Sequence, residues 1–329
     1  MAFTSCERAL MCDSEPDNPV NVFEYLWNKV DQHYSFFDVK GIDWDSVHEV
    51  YRTKVYDDMD DDSLFKVCAA ILNTLQDGHT NLISDFDVSH NDSVYYRMYA
   101  HRNIDINVVV LNYLGVNYHM TGSVAHNAIR DGKVAYLRYS SFMDDISEEN
   151  LKYLFDDLYK DCDGVILDLR QNGGGNILNI GLWLSLFDNH KQPLYQTQIK
   201  SGPGHDEFTE LETVYATDNC ILKLPYTKPV AVLIDRGSYS ATSFFSICTL
   251  AYPNIKLFGD YSGGGLGLPN GGALPNGWAY RFSITRTIAL DGGNYENGVP
   301  PAERVLITPE STAQGIDNVI EAAADWIMN

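Results

Sequence analysis

The 329-residue chain is 45% hydrophobic and 12% aromatic, ordinary material for one large folded domain or two modest ones, which excludes a disordered polypeptide. Lysine and arginine total 23 against 45 aspartate and glutamate, and the resulting net charge of -22 excludes nucleic acid and anionic lipid surfaces as natural partners. No apolar run approaches the roughly 18 residues that a membrane span needs. The acidic stretches 57–62, 85–92, 144–149 and 206–212 read as solvated faces rather than metal sites. The cysteines, Cys6, Cys12, Cys68, Cys162, Cys220 and Cys248, show neither CxxC pairing nor a histidine at metal-ligand spacing. No metal and no cofactor is implied, and Cys68, Cys162 and Cys248 read as small buried hydrophobes.

In chain order, two readings stand for residues 1–20. They are a disordered N-terminus, or a tether in which Phe3-Thr4-Ser5-Cys6-Glu7 resembles the end of a bacterial lipoprotein signal, with Cys6 as the lipid-bearing residue and the cell envelope as its location. Residues 21–83 read as a helical subdomain. Apolar residues recur at helical spacing from Val22 to His33, Trp44 to Tyr56 and Asp62 to Leu75, with Asn21 and Asp43 or Asp45 as caps. Gly78 is expected to end the third helix, and His79 follows in the loop, where it is either a polar surface group or a titratable base.

Residues 84–130 are expected to form a short β-rich bridge through Tyr95, Tyr96, Tyr99 and the alternating Ile104, Ile106, Val108 and Val110. An α/β core over 131–329 then begins with a strand at Lys133 to Arg138, a helix at Glu148 to Asp161 capped by Ser147, and a continuous apolar strand at Gly164 to Leu169. Gly173, Gly174 and Gly175 follow, before a helix at Ile177 to Phe187. Their spacing gives neither GxGxxG nor a terminal Gly-Lys-Ser/Thr, so the alternative to a nucleotide turn is a turn that aims bare backbone N–H groups at an anionic transition state.

A further buried strand, Val230 to Ile234, stops at Asp235, and a small-residue turn presents Ser240 at the start of a helix running from Ala241 to Ala251. Ser240 is either the helix cap or a nucleophile facing the free amides of the helix start. Ile255 to Phe258 is another strand, Gly259 to Gly272 a glycine-rich loop, and Tyr280 to Leu290 an antiparallel strand. The loop from Gly292 to Pro301 carries one acid, Glu296, and an amphipathic helix from Gly315 to Met328 closes the chain.

Six stretches in order, Leu75-Gln76-Asp77-Gly78-His79-Thr80, Tyr136 to Phe142, Ile166 to Gly174, Ser240-Ala241-Thr242, Gly259-Asp260-Tyr261-Ser262 and Glu296-Asn297-Gly298-Val299-Pro300-Pro301, resemble the C-terminal-processing or tail-specific serine peptidase family, whose core is shared with the tricorn protease. The resemblance implies a helical N-terminal subdomain and a crotonase or Clp-protease-like α/β core. It implies Ser240 as nucleophile, His79 as general base, Glu296 as support for the histidine, and an oxyanion hole from the amides of Ala241 and Gly173 or Gly174. The branch that pairs serine with lysine twenty-five positions on has Gly265 there, and Lys256 lies on the preceding strand, so the His-using, tricorn-like branch is implied, without a PDZ insert. Gly78, Ser243 and Ala302 depart from the family pattern. The expected substrate is a peptide or unfolded protein end. A non-catalytic binder of apolar ligands and a serine esterase or acyl-transfer enzyme on the same fold remain as alternatives.

Overall fold

A computed structural model describes residues 16–187 and 190–329, so Cys6 and the residues around it lie outside the described residues. The strands in chain order are β1 (Asn81–Ile83), β2 (His119–Thr121), β3 (Val124–Ile129), β4 (Val134–Tyr139), β5 (Gly164–Asp168), β6 (Pro193–Ile199), β7 (Glu212–Tyr215), β8 (Val230–Ile234), β9 (Ile255–Gly259), β10 (Pro269–Ala273), β11 (Ala279–Ser283), β12 (Thr285–Ala289) and β13 (Glu303–Arg304). The chain divides into two compact units. The first holds the described residues up to Tyr95 with Ile199–Glu210 and Gly267–Arg286; the second holds Tyr96–Gln198, Leu211–Leu266 and Thr287–Asn329. Among the described residues no helix is long and apolar enough to cross a membrane.

In the first unit, helices Pro19–His33, Trp44–Arg52 and Asp61–Asn73 start on Asn18, Asp43 and Asp60, whose side chains accept the N–H of Asn21, Ser46 and Ser63. Pro19 suits the first helical position, so the first helix starts ahead of the expected Val22 and Asn18 replaces Asn21 as its cap. Phe23, Leu26, Trp44, Leu64, Cys68 and Leu72 share one core with Leu274, Trp278 and Phe282. Burial there pushes the Cys68 thiol up to about 12. The third helix ends at Asn73, earlier than expected, because the Thr74 hydroxyl closes the last turn on the Ile71 carbonyl at 2.6 Å. Gln76, at φ 49°, takes the left-handed conformation expected of Gly78. β11 lies between β1 and β10, antiparallel to both.

The second unit is built on a seven-stranded sheet of order β13-β9-β8-β5-β4-β3-β2, parallel from β13 to β4 and antiparallel beyond. Every residue of β5 and β8 is buried, because both faces are covered. Tyr136, Ile166, Ala231 and Leu233 meet Val319, Ile320, Ala323 and Ala324 of the helix Asn318–Met328 on one face. Leu137, Leu167, Val232 and Ile234 meet Phe244, Phe245 and Trp183 on the other. This is the α/β core expected from the alternation of strands and helices.

Several local readings are corrected. Tyr95, Tyr96 and Tyr99 lie on a helix, Asp92–Ala100, not on strands, because the Asn91 carboxamide engages the Ser93 hydroxyl and the Val94 N–H at its start. Ile106–Val109 is helical and continues as a π-turn through Val110–Leu114, since Asp105 caps it through the Asn107 and Val108 amides. A cap thus overrides a period-two pattern that a short helix also tolerates. The helix after Ser147 is α-helical only over Glu148–Lys152 and widens to a π-turn over Tyr153–Leu158. Tyr280 to Leu290 is two strands, β11 and β12, parted at Ile284.

Candidate active site

Ser240 stands at the carboxyl end of β8, where open α/β sheets place their ligands. Its backbone sits at φ 55°, ψ -118°, a region costly for any residue with a side chain, and its side chain does not cap the helix Ala241–Cys248. The capping reading of Ser240 is therefore set aside. The turn is held on both sides: Tyr239 N–H donates to the Asn172 carbonyl at 3.0 Å and Ser240 N–H to the Gly264 carbonyl at 3.0 Å. The eight residues of the helix are all buried, so its N-terminal partial positive charge acts with little screening by solvent.

Gly173 and Gly174 follow β5, and Gly174 lies against this turn. A Cβ on Gly174 would stand 2.6 Å from the Tyr239 oxygen, 2.8 Å from the Ala241 nitrogen and 2.9 Å from the Ser240 Cβ, and its φ is +94°. Glycine is required there for close approach and for conformation alike. The Gly174 N–H donates to Asn172 Oδ1 at 3.0 Å, whereas among the described residues no acceptor engages the N–H of Gly173 or Ala241. Gly174→Ala is expected to lower stability by about 1–3 kcal/mol, read as a drop in the urea midpoint at unchanged slope.

Glu296 is buried, 2% exposed, in the same unit. Its Oε2 accepts the Leu266 N–H at 2.7 Å, its carbonyl accepts the Gly265 N–H at 3.1 Å, and its own N–H donates to Asn294 Oδ1 at 3.1 Å. The segment Gly264–Leu266 is thus a strap, bonded at Gly264 to Ser240 and at Gly265 and Leu266 to Glu296. Ser262 Oγ fixes its approach by accepting the N–H groups of Gly264 and Val299. Ser243 exchanges a hydrogen bond with that same Ser262 hydroxyl at 2.9 Å. Lys256 is committed elsewhere, 2.7 Å from Glu303 on β13.

His79 belongs to the first unit, where its loop is tightly held. Its N–H donates to Asp77 Oδ1 at 2.8 Å, and its carbonyl accepts from Arg281 Nε at 3.2 Å. The side chain is 8% exposed, and burial lowers its pKa despite the opposing charge of Asp77, with Arg281 adding to the depression. The imidazole is therefore neutral at pH 7 and able to accept a proton. The structure thus gathers Ser240, Ala241, Gly173, Gly174 and Glu296 in the second unit, and His79 in the first.

Two residues without an assigned part in the sequence reading organise this site. Asp235, fully buried, accepts the Gln171 and Gly237 N–H groups through Oδ1 at 2.8 and 3.0 Å, and Gln171 Nε2 and the Asn103 N–H through Oδ2 at 2.7 and 3.1 Å. It holds Gln171, itself at φ 61°, beside the turn that leads to Ser240. Asn172 ties the Tyr139 carbonyl to the Gly174 N–H through its side chain. The signal for Asp235 was an acid closing a wholly apolar strand, where a carboxylate persists only if backbone donors surround it. Asp235→Asn is expected to cost about 2–3 kcal/mol, because an amide group replaces one acceptor oxygen; a denaturant titration reads it. Among the described residues no cluster of three or more histidine, cysteine, aspartate or glutamate side chains is arranged to hold a metal ion.

The family model for peptidase family S41 matches residues 133–305, more than half of the chain. The chain belongs to peptidase family S41. In this S41 chain, residues 17–73 also match the tricorn protease C1 domain. A putative peptidase from Parabacteroides merdae is 36% identical, with 95% of this chain and 98% of that one covered and a TM-score of 0.88. Mature CPAF shares the fold at a TM-score of 0.66, with 12% identity over 94% of this chain and 96% of that one. The carboxy-terminal processing protease CtpB of Bacillus subtilis is 25% identical over 188 residues, which are 52% of this chain and 37% of that protein. The match thus spans little more than a third of this curated relative.

Proposed function

We propose that this S41 chain is a serine endopeptidase that cuts peptides or unfolded protein ends, with Ser240 as nucleophile, His79 as general base and Glu296 in support. The observation that carries this reading is Ser240 itself, a strained, non-capping serine at a helix start, followed by Ala241, whose N–H has no acceptor among the described residues, as that of Gly173 has none. His79 takes the Ser240 proton as Oγ attacks the scissile carbonyl carbon, and returns it to the leaving amine. The Ala241 and Gly173 amides receive the oxyanion. The part given to His79 rests on its motif, its held loop and its neutral imidazole; that given to Glu296 on its motif and on its bonds to the strap that holds Ser240.

Fluorophosphonate labelling of wild type, His79→Ala and Ser240→Ala tests this directly: labelling of the wild type alone supports it, and a folded wild type that takes no label sinks it. A second test is pH. Because the His79 pKa is lowered from 6.5, the base stays unprotonated down to pH 6.5 and is lost only below it. The acid limb of kcat/KM is accordingly expected to have its midpoint below pH 6.5, and a limb centred above that value would remove His79 from the role.

A further inference from the structure

The first unit contains a cavity of about 240 Å³ that none of the candidate active-site residues lines. Lys29 and His33 from the first helix, Lys200 from the segment Ile199–Glu210, and Tyr280 and Phe282 from β11 surround it. In a chain of net charge -22, three basic side chains converge here. Lys200 is 8% exposed, and its ammonium donates to the Gly204 carbonyl and lies 5.2 Å from the Phe208 ring centre. Among the described residues no carboxylate stands within ion-pair distance of Lys200 or Lys29. The acids that act on Lys200 from farther off are Glu207, Asp206 and Asp31, of which Glu207 accepts the Gly204 N–H at 3.1 Å and Asp31 pairs with His205 at 2.8 Å. Burial lowers the pKa of both Lys200 and His33, and His33 is lowered further by Lys29 and Lys200. His33 is therefore neutral at pH 7, and an anion between the Lys200 and Lys29 ammonium groups recovers electrostatic energy that Lys200 loses on burial.

The apolar part of the lining is equally specific. The Tyr280 and Phe282 rings stack at 12° with centres 5.6 Å apart, which suits a flat apolar body. The volume lies below the range typical of drug-sized ligands, which limits the occupant to one or two rings. Lysine ammonium groups act as point charges without the fork that selects phosphate, so the discrimination falls to the aromatic wall.

We infer that this cavity binds a small aromatic carboxylate, with Lys200 and Lys29 holding the carboxylate and Tyr280 and Phe282 the ring. The site is independent of the peptidase reading. Arg281, between the two aromatic residues, holds the His79 carbonyl, so the test leaves β11 unaltered.

The experiment is isothermal titration of the full chain at low salt with 2-naphthoate, with its neutral amide 2-naphthamide and with inorganic phosphate. Wild type is expected to bind 2-naphthoate saturably and both other probes at least about tenfold more weakly, the worth of one charge-assisted hydrogen bond. Lys200→Met and the more exposed Lys29→Gln are each expected to weaken 2-naphthoate, Lys200→Met by about tenfold or more. Thermal melts establish that both variants are folded, and Lys29→Gln carries the test alone if Lys200→Met is not. No saturable binding by wild type, equal binding of acid and amide, phosphate binding as tight as 2-naphthoate, or unchanged affinity in the folded variants would each overturn the assignment.

Discussion

Ser240→Ala is expected to lower kcat toward a model peptide by roughly four to six orders of magnitude while leaving the fold intact, because nucleophile and base act as a unit and removing either removes nearly the whole effect. Stability is expected to change by only a few tenths of a kcal/mol, since the Ser240 side chain does not cap the helix that follows it. A companion variant separates chemistry from structure. Ser240→Gly relieves the backbone strain at φ 55°, ψ -118°, worth about 1–3 kcal/mol, against a smaller gain in unfolded-chain entropy. A net rise of about 1 kcal/mol in unfolding free energy is expected, with activity lost. A capping serine would behave oppositely, Ala costing about 1 kcal/mol and Gly a few tenths. Paired melting curves therefore decide between the two roles without any substrate.

The largest loss of stability is expected at Arg170, which is fully buried. Its guanidinium reaches Asp168 through Nε at 3.0 Å and Nη2 at 2.6 Å, and Asp317 through Nη1 at 2.9 Å. Nη1 also donates to the Asn103 carbonyl at 2.8 Å. Asp317 in turn caps the helix Asn318–Met328, so one side chain joins the end of β5 to the closing helix. Arg170→Met leaves Asp317 buried without its cation and Asp168 with only Arg138, 3.5 Å away, at a cost of about 3–5 kcal/mol. Burial alone works against an ionised Asp168, yet Arg170, with Arg138 and the Tyr136 hydroxyl, more than offsets it and holds the pKa below its usual value. Stability from this pair is therefore complete above the unfolded Asp pKa of about 3.9 and is lost as pH falls below it. The gap between wild type and variant in guanidinium unfolding is expected to be full at pH 7 and to narrow below about pH 4. A gap independent of pH would mean that Arg170 acts by packing alone.

The amino-acid order by itself determined the family motifs and the core strands. β5 and β8 were legible because a strand covered on both faces must be apolar throughout, and Asp235 stood out as the acid that follows such a run. The early helices were legible from spacing and caps, since those signals act within a turn or two. Helix against strand at Asp92–Ala100 and Ile106–Val109 was not, because short apolar patterns satisfy both periods and a single Asn91 or Asp105 side chain tipped the balance. Only the tertiary structure decided that the Ser240 hydroxyl does not cap its helix, that the Gly174 N–H is already engaged by Asn172, and that Gly264–Leu266 bonds to both Ser240 and Glu296. These facts depend on backbone angles and on hydrogen bonds between residues tens of positions apart. Local sequence carries the propensity of each segment, whereas the partner of a backbone N–H is set by whatever the fold brings beside it.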